Sequence, residues 1–134
     1  LIYILDTSVI SAVRRAGRAP SVAAWLRAQP EEALFLSTVT LGEIERGIAR
    51  QEGRDPGFAA DLRGWLDRTT RLFADRILPF GAEEARIWGR LSAGIGHGGA
   101  DLMIAATALA RGATVVTGNI SDFEPTGVTL LDLF

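Results

Sequence analysis

At 134 residues the chain has room for one hydrophobic core, and with 48% hydrophobic and 22% charged residues its composition is globular rather than disordered; we read a single domain over residues 1–134. Cysteine is absent, which excludes disulfides, thiolate metal sites and thiol nucleophiles; lysine is absent too, which excludes Schiff-base chemistry and a P-loop lysine, and one histidine, His97, would have to serve any Ser-His-Asp triad. The formal charge of -2 is not the basic footprint of a general nucleic-acid binder, so any affinity for nucleic acid has to come from local charge.

Ile2 to Leu5 form a fully apolar run that stops abruptly at Asp6, as a buried parallel strand does. Because the chain opens on this strand, and no apolar run approaches the ~18 residues needed to cross a bilayer, neither signal peptide nor membrane anchor is expected and the location is read as cytoplasmic. Helical spacing follows in SVISAVRRA, and again after Pro20 with Val22, Trp25 and Leu26. Leu34 to Leu36 read as a second strand, leading through Ser37 and Thr38 into a helix with the apolar stripe Leu41, Ile44 and Ile48. From about Phe58 to Phe73 an amphipathic helix carries Phe58, Leu62, Trp65, Leu66, Thr69, Leu72 and Phe73 on a stripe read as core, with no chemistry assigned. Ile77 to Phe80 read as a third strand, followed by a helix with Ile87, Trp88 and Leu91. The glycine-rich GHGG breaks the chain before the helix ADLMIAATALARG, whose end at Gly112 fits a left-handed cap. Thr114 to Val116 form the fourth strand, TGNISDF a loop, and Val128 to Leu131 a short fifth strand.

Strands alternating with helices imply an α/β fold, a parallel sheet covered on both faces, with ligands bound where the strands end. Four acids reach that rim from distant segments: Asp6 after the first strand, Glu43 in the first turn of the helix after the second, Asp101 at the head of the helix before the fourth, and Asp122 after the fourth. Each has a local alternative. Asp6 and Asp101 are placed as helix caps, Thr40 and Glu43 match a capping box, and Asp122 could close an Asx turn. Caps contribute only about 1 kcal/mol, whereas two carboxylates ~5 Å apart repel by ~3 kcal/mol at an effective dielectric near 20. Caps therefore do not account for the gathering, and a divalent ion does. With oxygen donors alone, Mg²⁺ or Mn²⁺ is indicated rather than Zn²⁺.

Taken together, IYILDTSVIS, LSTVTLGEIERGI and ADLMIAATALARGATVVTGNISDF resemble, in order and spacing, the acidic segments of PIN domains, over nearly the whole chain and closest to the VapC-like and FitB-like toxins. The resemblance implies a three-layer sandwich around a parallel sheet of about five strands in the order 3-2-1-4-5. It implies hydrolysis of RNA phosphodiester bonds, with Asp6 and Asp101 as central metal ligands and Glu43 and Asp122 as further acids of the pocket. Ser8, Thr117 and Asn119 match its supporting polar positions, Asn119 standing where some members carry an acid. As partners it implies a VapB-like antitoxin, a second copy of the chain, and operator DNA reached only through the antitoxin.

Arg46 and Arg50 follow Glu43 at i+3 and i+7, so they are expected to flank the acids and hold RNA phosphates, with Arg14, Arg15 and Arg18 acting from the other side. His97, in a glycine loop, is read as solvated. Two other readings remain open at this stage: a catalytically inert binding module acting through an antitoxin, and a nuclease of the same kind directed at DNA.

Overall fold

The short strand β1 (Tyr3–Leu5) lies between β2 (Leu34–Ser37) and β4 (Thr114–Val116), both parallel to it, and β3 (Ile77–Leu78) and β5 (Thr129–Leu131) complete the sheet in the order β3-β2-β1-β4-β5. This is the expected α/β topology. The computed structural model describes residues 1–15 and 17–134; Ala16, the last residue of the segment SVISAVRRA, lies outside the described residues.

Side chains alternate across these strands and load both faces. Ile4 and Val115 pack with Ile104, Ala105, Ala108 and Phe123 on one side, while Leu5, Leu36 and Val116 pack with Val9, Val22 and Phe73 on the other. Burying one such Val, Leu, Ile or Phe stabilises by about 1.5–3 kcal/mol, which is how strands of two to four residues hold their register. The first group is covered by α5 (Ala82–Ile95), α6 (Ala100–Arg111) and α7 (Ile120–Phe123), the second by α1 (Thr7–Arg14), α2 (Pro20–Ala28) and α4 (Pro56–Leu72). Between them α3 (Thr38–Glu52) contributes Val39 to the first and Leu41 and Ile44 to the second.

Some boundaries differ from the sequence reading for a local reason. The amphipathic helix starts at Pro56 rather than about Phe58, because Pro56 suits the first helical position and the Asp55 carboxylate accepts the Phe58 N–H at 3.1 Å. Strand β3 ends at Leu78 instead of Phe80, since Pro79 has no N–H for the ladder and the Phe80 N–H goes to the Thr38 hydroxyl at 3.2 Å. TGNISDF is not all loop, residues 120–123 making one helical turn. As expected, α6 stops at a left-handed glycine, Gly112, with φ +62°.

The carboxyl ends of the central strands fix the functional rim. Leu5 pairs with Val116, the Asp6 N–H donates to the Val116 carbonyl at 2.9 Å, and the Thr117 N–H donates to Leu131 at 3.1 Å. Asp6 and Thr117 therefore leave the sheet side by side.

Candidate active site

Asp6 is 1% exposed, and its carboxylate does not cap α1 although the residue occupies the N-cap position. Its Oδ2 instead accepts two hydroxyls, Thr117 at 2.7 Å and Ser8 at 3.0 Å. Both hydroxyl oxygens are themselves held by backbone: Gly118 N–H donates to Ser8 Oγ at 3.1 Å and Asn119 N–H to Thr117 Oγ1 at 2.9 Å. These four bonds fix the carboxylate by one oxygen and leave Oδ1 without a protein donor among the described residues. Ser8 and Thr117 thus both contact Asp6, while Asn119 contributes its backbone N–H and its side chain is exposed.

Glu43 needs two corrections. It lies in the second turn of α3 rather than the first, and the capping box through Thr40 does not form, because the helix starts at Thr38 with the Ser37 hydroxyl accepting the Val39 N–H at 3.0 Å. Thr40 is fully buried inside the first turn, its hydroxyl without a partner among the described residues. The Glu43 carboxylate is held from across the cleft by Thr7, whose hydroxyl donates at 2.7 Å. Sequence reasoning missed Thr7, and no local spacing could have revealed a partner 36 residues away.

Asp101 occupies the first turn of α6 and makes no capping bond, the N-cap being Gly99. Its carboxyl is pushed up from 3.8 to about 6, first by burial and then by repulsion from Asp6, Glu43 and Asp122, with His97 partly opposing the shift. This couples the four acids electrically. None of them joins a salt bridge among the described residues. Asp122 sits on the exposed turn of α7 rather than in an Asx turn, so it forms the outer lip of the group. His97 is exposed, and among the described residues its Nδ1 accepts only the Gly99 N–H, at 3.3 Å.

Among the described residues no three acidic or histidine side chains stand close enough to enclose an ion by themselves. The donor set is nonetheless suited to Mg²⁺ or Mn²⁺, which coordinate oxygen and retain several waters, so that a few carboxylates suffice. A free Asp6 Oδ1 and an Asp101 carboxyl whose charge is opposed by its neighbours are what an arriving cation relieves.

Beside the acids, α1, α3 and α4 enclose a cleft of about 280 Å³ lined by Thr7, Arg14, Arg15, Glu43, Gly47 and Phe58 among others. Arg14 and Arg15 therefore share this cleft with Glu43. Arg46 and Arg50 are exposed on α3 but do not line this cleft, whose α3 wall is made by Glu43, Ile44, Gly47, Ile48 and Gln51; Arg18 is exposed beyond α1. The i, i+3, i+7 relation thus leads past the cleft, and the i+4 and i+8 positions face it. Phe58, assigned to the core on helical spacing, is 37% exposed at the free end of α4.

A profile described as PIN domain matches residues 3–124. The VapC ribonuclease Y4jK of Sinorhizobium fredii is 36% identical, over 96% of this chain and 95% of that protein, and Toxin FitB of Neisseria gonorrhoeae is 34% identical, over 96% of each. Among solved structures, FitAcB from Neisseria gonorrhoeae superposes with a TM-score of 0.83 at 32% identity, covering 97% of this chain and 96% of the other. FitAB bound to an IR36 DNA fragment gives the same TM-score at 31% identity, covering 98% and 94%.

Proposed function

Because the chain belongs to the PIN-domain family, we propose that it is a metal-dependent endoribonuclease, the toxin of a toxin–antitoxin pair, hydrolysing RNA at the rim formed by Asp6, Glu43, Asp101 and Asp122. The observation that carries this reading is that Asp101 feels the charges of Asp6, Glu43 and Asp122, carboxylates from distant segments, while among the described residues no cationic side chain is paired to any of the four.

Asp6 and Asp101 would hold a Mg²⁺ or Mn²⁺ ion, which supplies charge neutralisation and Lewis acidity to the phosphodiester. Ser8 and Thr117 keep Asp6 in one rotamer, so that Oδ1 meets its ligand without reorganisation. Glu43, tethered by Thr7, and Asp122, on the exposed lip, accept hydrogen bonds from water and aim it in line with the leaving oxygen. As the water oxygen bonds to phosphorus, the bond to the leaving ribose oxygen breaks, that oxygen takes up a proton from solvent, and the water proton passes to a carboxylate of the cluster. Thr117, with Asn119 behind it, supports this arrangement from β4. Arg14 and Arg15 bind flanking phosphates, with Arg18, Arg46 and Arg50 as outer contacts for a longer RNA.

The partner is a VapB-like antitoxin, and operator DNA is reached through it; a homodimer and a cytoplasmic location complete the proposal. No helix among the described residues is long and apolar enough to cross a membrane. A second groove, of about 290 Å³ and lined by Ile10, Val13, Leu26, Leu34, Leu72 and Phe73, is almost entirely apolar, and Leu72 is 62% exposed beside it. Such a surface suits the apolar side of an antitoxin segment.

The test is cleavage of total RNA, and of single-stranded DNA in parallel, with Mg²⁺ or Mn²⁺ by the wild type, Asp6→Asn and Asp101→Asn. RNA should be cut by the wild type alone. Equal activity in all three proteins would end the nuclease assignment, and cleavage of DNA but not RNA would redirect it.

A further inference from the structure

We infer that the cleft between α1, α3 and α4 is a subsite for one nucleotide of the RNA beside the scissile phosphodiester, its phosphate against Arg14 and Arg15 and its base against Phe58. This deepens the nuclease proposal and rests on it.

Three observations converge on the cleft. First, Arg14 is fixed by aromatic rings rather than by an acid: its guanidinium carbon lies 5.7 Å from the Phe58 ring centroid and 5.9 Å from that of Trp65. Among the described residues neither Arg14 nor Arg15 joins a salt bridge, whereas Arg63 and Arg76 each contact two carboxylates. A part-buried cation is thus oriented and left with charge to spare. Second, Phe58 breaks the pattern of its own helix, since Ala59 and Leu66 are buried while Phe58 stays 37% exposed in a cleft that also holds charged groups. An aromatic ring beside an uncommitted guanidinium is what RNA-binding sites use to stack unpaired bases, because every base has a π-face. Third, Thr7 and Glu43 line the same cleft, so an RNA strand whose reacting phosphate sits among the acids leads its neighbouring nucleotide into it.

Size agrees with this occupant. At about 280 Å³ the cleft lies at the small end of ligand pockets, enough for one unpaired nucleotide and too narrow for a duplex. The contacts made to the base are stacking and apolar, with Glu43 and Gln51 as the polar side chains on the α3 wall, so the subsite would favour an unpaired base over a paired one.

The experiment measures binding of a 5′-labelled single-stranded RNA heptamer by fluorescence anisotropy in EDTA, where turnover is suppressed, for the wild type, Phe58→Leu and Arg14→Gln. A single abasic nucleotide is then scanned along the RNA. Phe58→Leu should weaken binding about tenfold, and one abasic position should weaken wild-type binding by a similar factor while leaving Phe58→Leu unaffected. Arg14→Gln should weaken binding and reduce the salt slope by about one. With Mg²⁺ or Mn²⁺ present, both variants should raise KM more than they lower kcat, unlike Asp101→Asn. Wild-type cleavage with unchanged KM in both cleft variants would overturn the subsite and leave the nuclease standing. A wild type that neither binds nor cleaves RNA would remove both. If the abasic penalty persisted in Phe58→Leu, the base would lie elsewhere.

Discussion

Replacing Asp101 by Asn tests whether the acids crowd one another, and in metal-free protein the sign of its effect separates two kinds of role. The carboxyl rises from 3.8 to about 6 on folding, through burial first and then through Asp6, Glu43 and Asp122. At full weight that rise corresponds to about 3 kcal/mol against the folded state, and since the side chain is only partly buried, solvent screening reduces it to about 1 kcal/mol. Because the folded carboxyl binds its proton more tightly than the unfolded one, the native state holds more protons between pH 3.8 and about 6. Stability therefore falls as pH rises through this window, and the penalty is complete above it. The competing effect is favourable: an acid in the first turn of α6 interacts with the helix dipole for about 0.3–1 kcal/mol. Crowding outweighs this attraction, so Asp101→Asn in EDTA at pH 8 should melt higher, by up to about 3 °C for a chain of this length. The gain should shrink toward pH 4, and added Mg²⁺ should raise the melting temperature of the wild type well above its effect on the variant. A variant that melts lower at pH 8 in EDTA would mean that Asp101 serves its helix rather than an ion.

Thr117→Val keeps the shape of the side chain and removes the hydroxyl between Asp6 Oδ2 and the Asn119 N–H; urea unfolding should show a loss of about 2 kcal/mol, and RNA cleavage should slow by about 10–100-fold. Unchanged cleavage would show that Asp6 is positioned without it. Gly98→Ala would place a Cβ 2.9 Å from Cζ2 of Trp88, so the GHGG loop has to shift at a cost of about 1–3 kcal/mol, visible in urea unfolding and in tryptophan emission. At Gly99 the nearest atom to such a Cβ is Nδ1 of the exposed His97 at 3.4 Å, and Gly99→Ala is the milder control.

The strand order and the rim were legible because they depend on patterns that short segments carry: an apolar run ending at Asp6, alternation of strand and helix, and a left-handed glycine at Gly112. The partners of the acids were less legible, since they depend on which of several similar groups wins a competition settled elsewhere in the fold. Ser37 and Thr40 both offer a hydroxyl near the start of α3. Ser37 caps because β2 runs as far as that residue, which leaves Thr40 inside the helix and frees Glu43 for Thr7. Phe58 has the spacing of a core residue, but Asp55 and Pro56 start the helix just before it and put it at an end, where Arg14 rather than the sheet meets its ring. Periodicity reports which face of a helix a residue is on; it does not report how far along the helix the neighbouring layer extends.

The same distinction between sum and placement resolves how an acidic chain can hold RNA. Arg63 is occupied by Glu45 and Glu52, and Arg76 by Glu31 and Asp75, in pairs whose acidic partners are more than half exposed and which contribute little to stability. Such pairs cancel charge where RNA is not expected to lie, and Arg14 and Arg15 keep theirs in the cleft. Beside them, however, the carboxylates would repel an incoming phosphate until an ion neutralises them. An ion would relieve that repulsion and the phosphate would in turn add a ligand to the ion, so each must raise the other's affinity by the same factor. On the proposal made above, the carboxylate rim and the Arg14 cleft act as one binding unit, and the net charge of -2 describes neither of them.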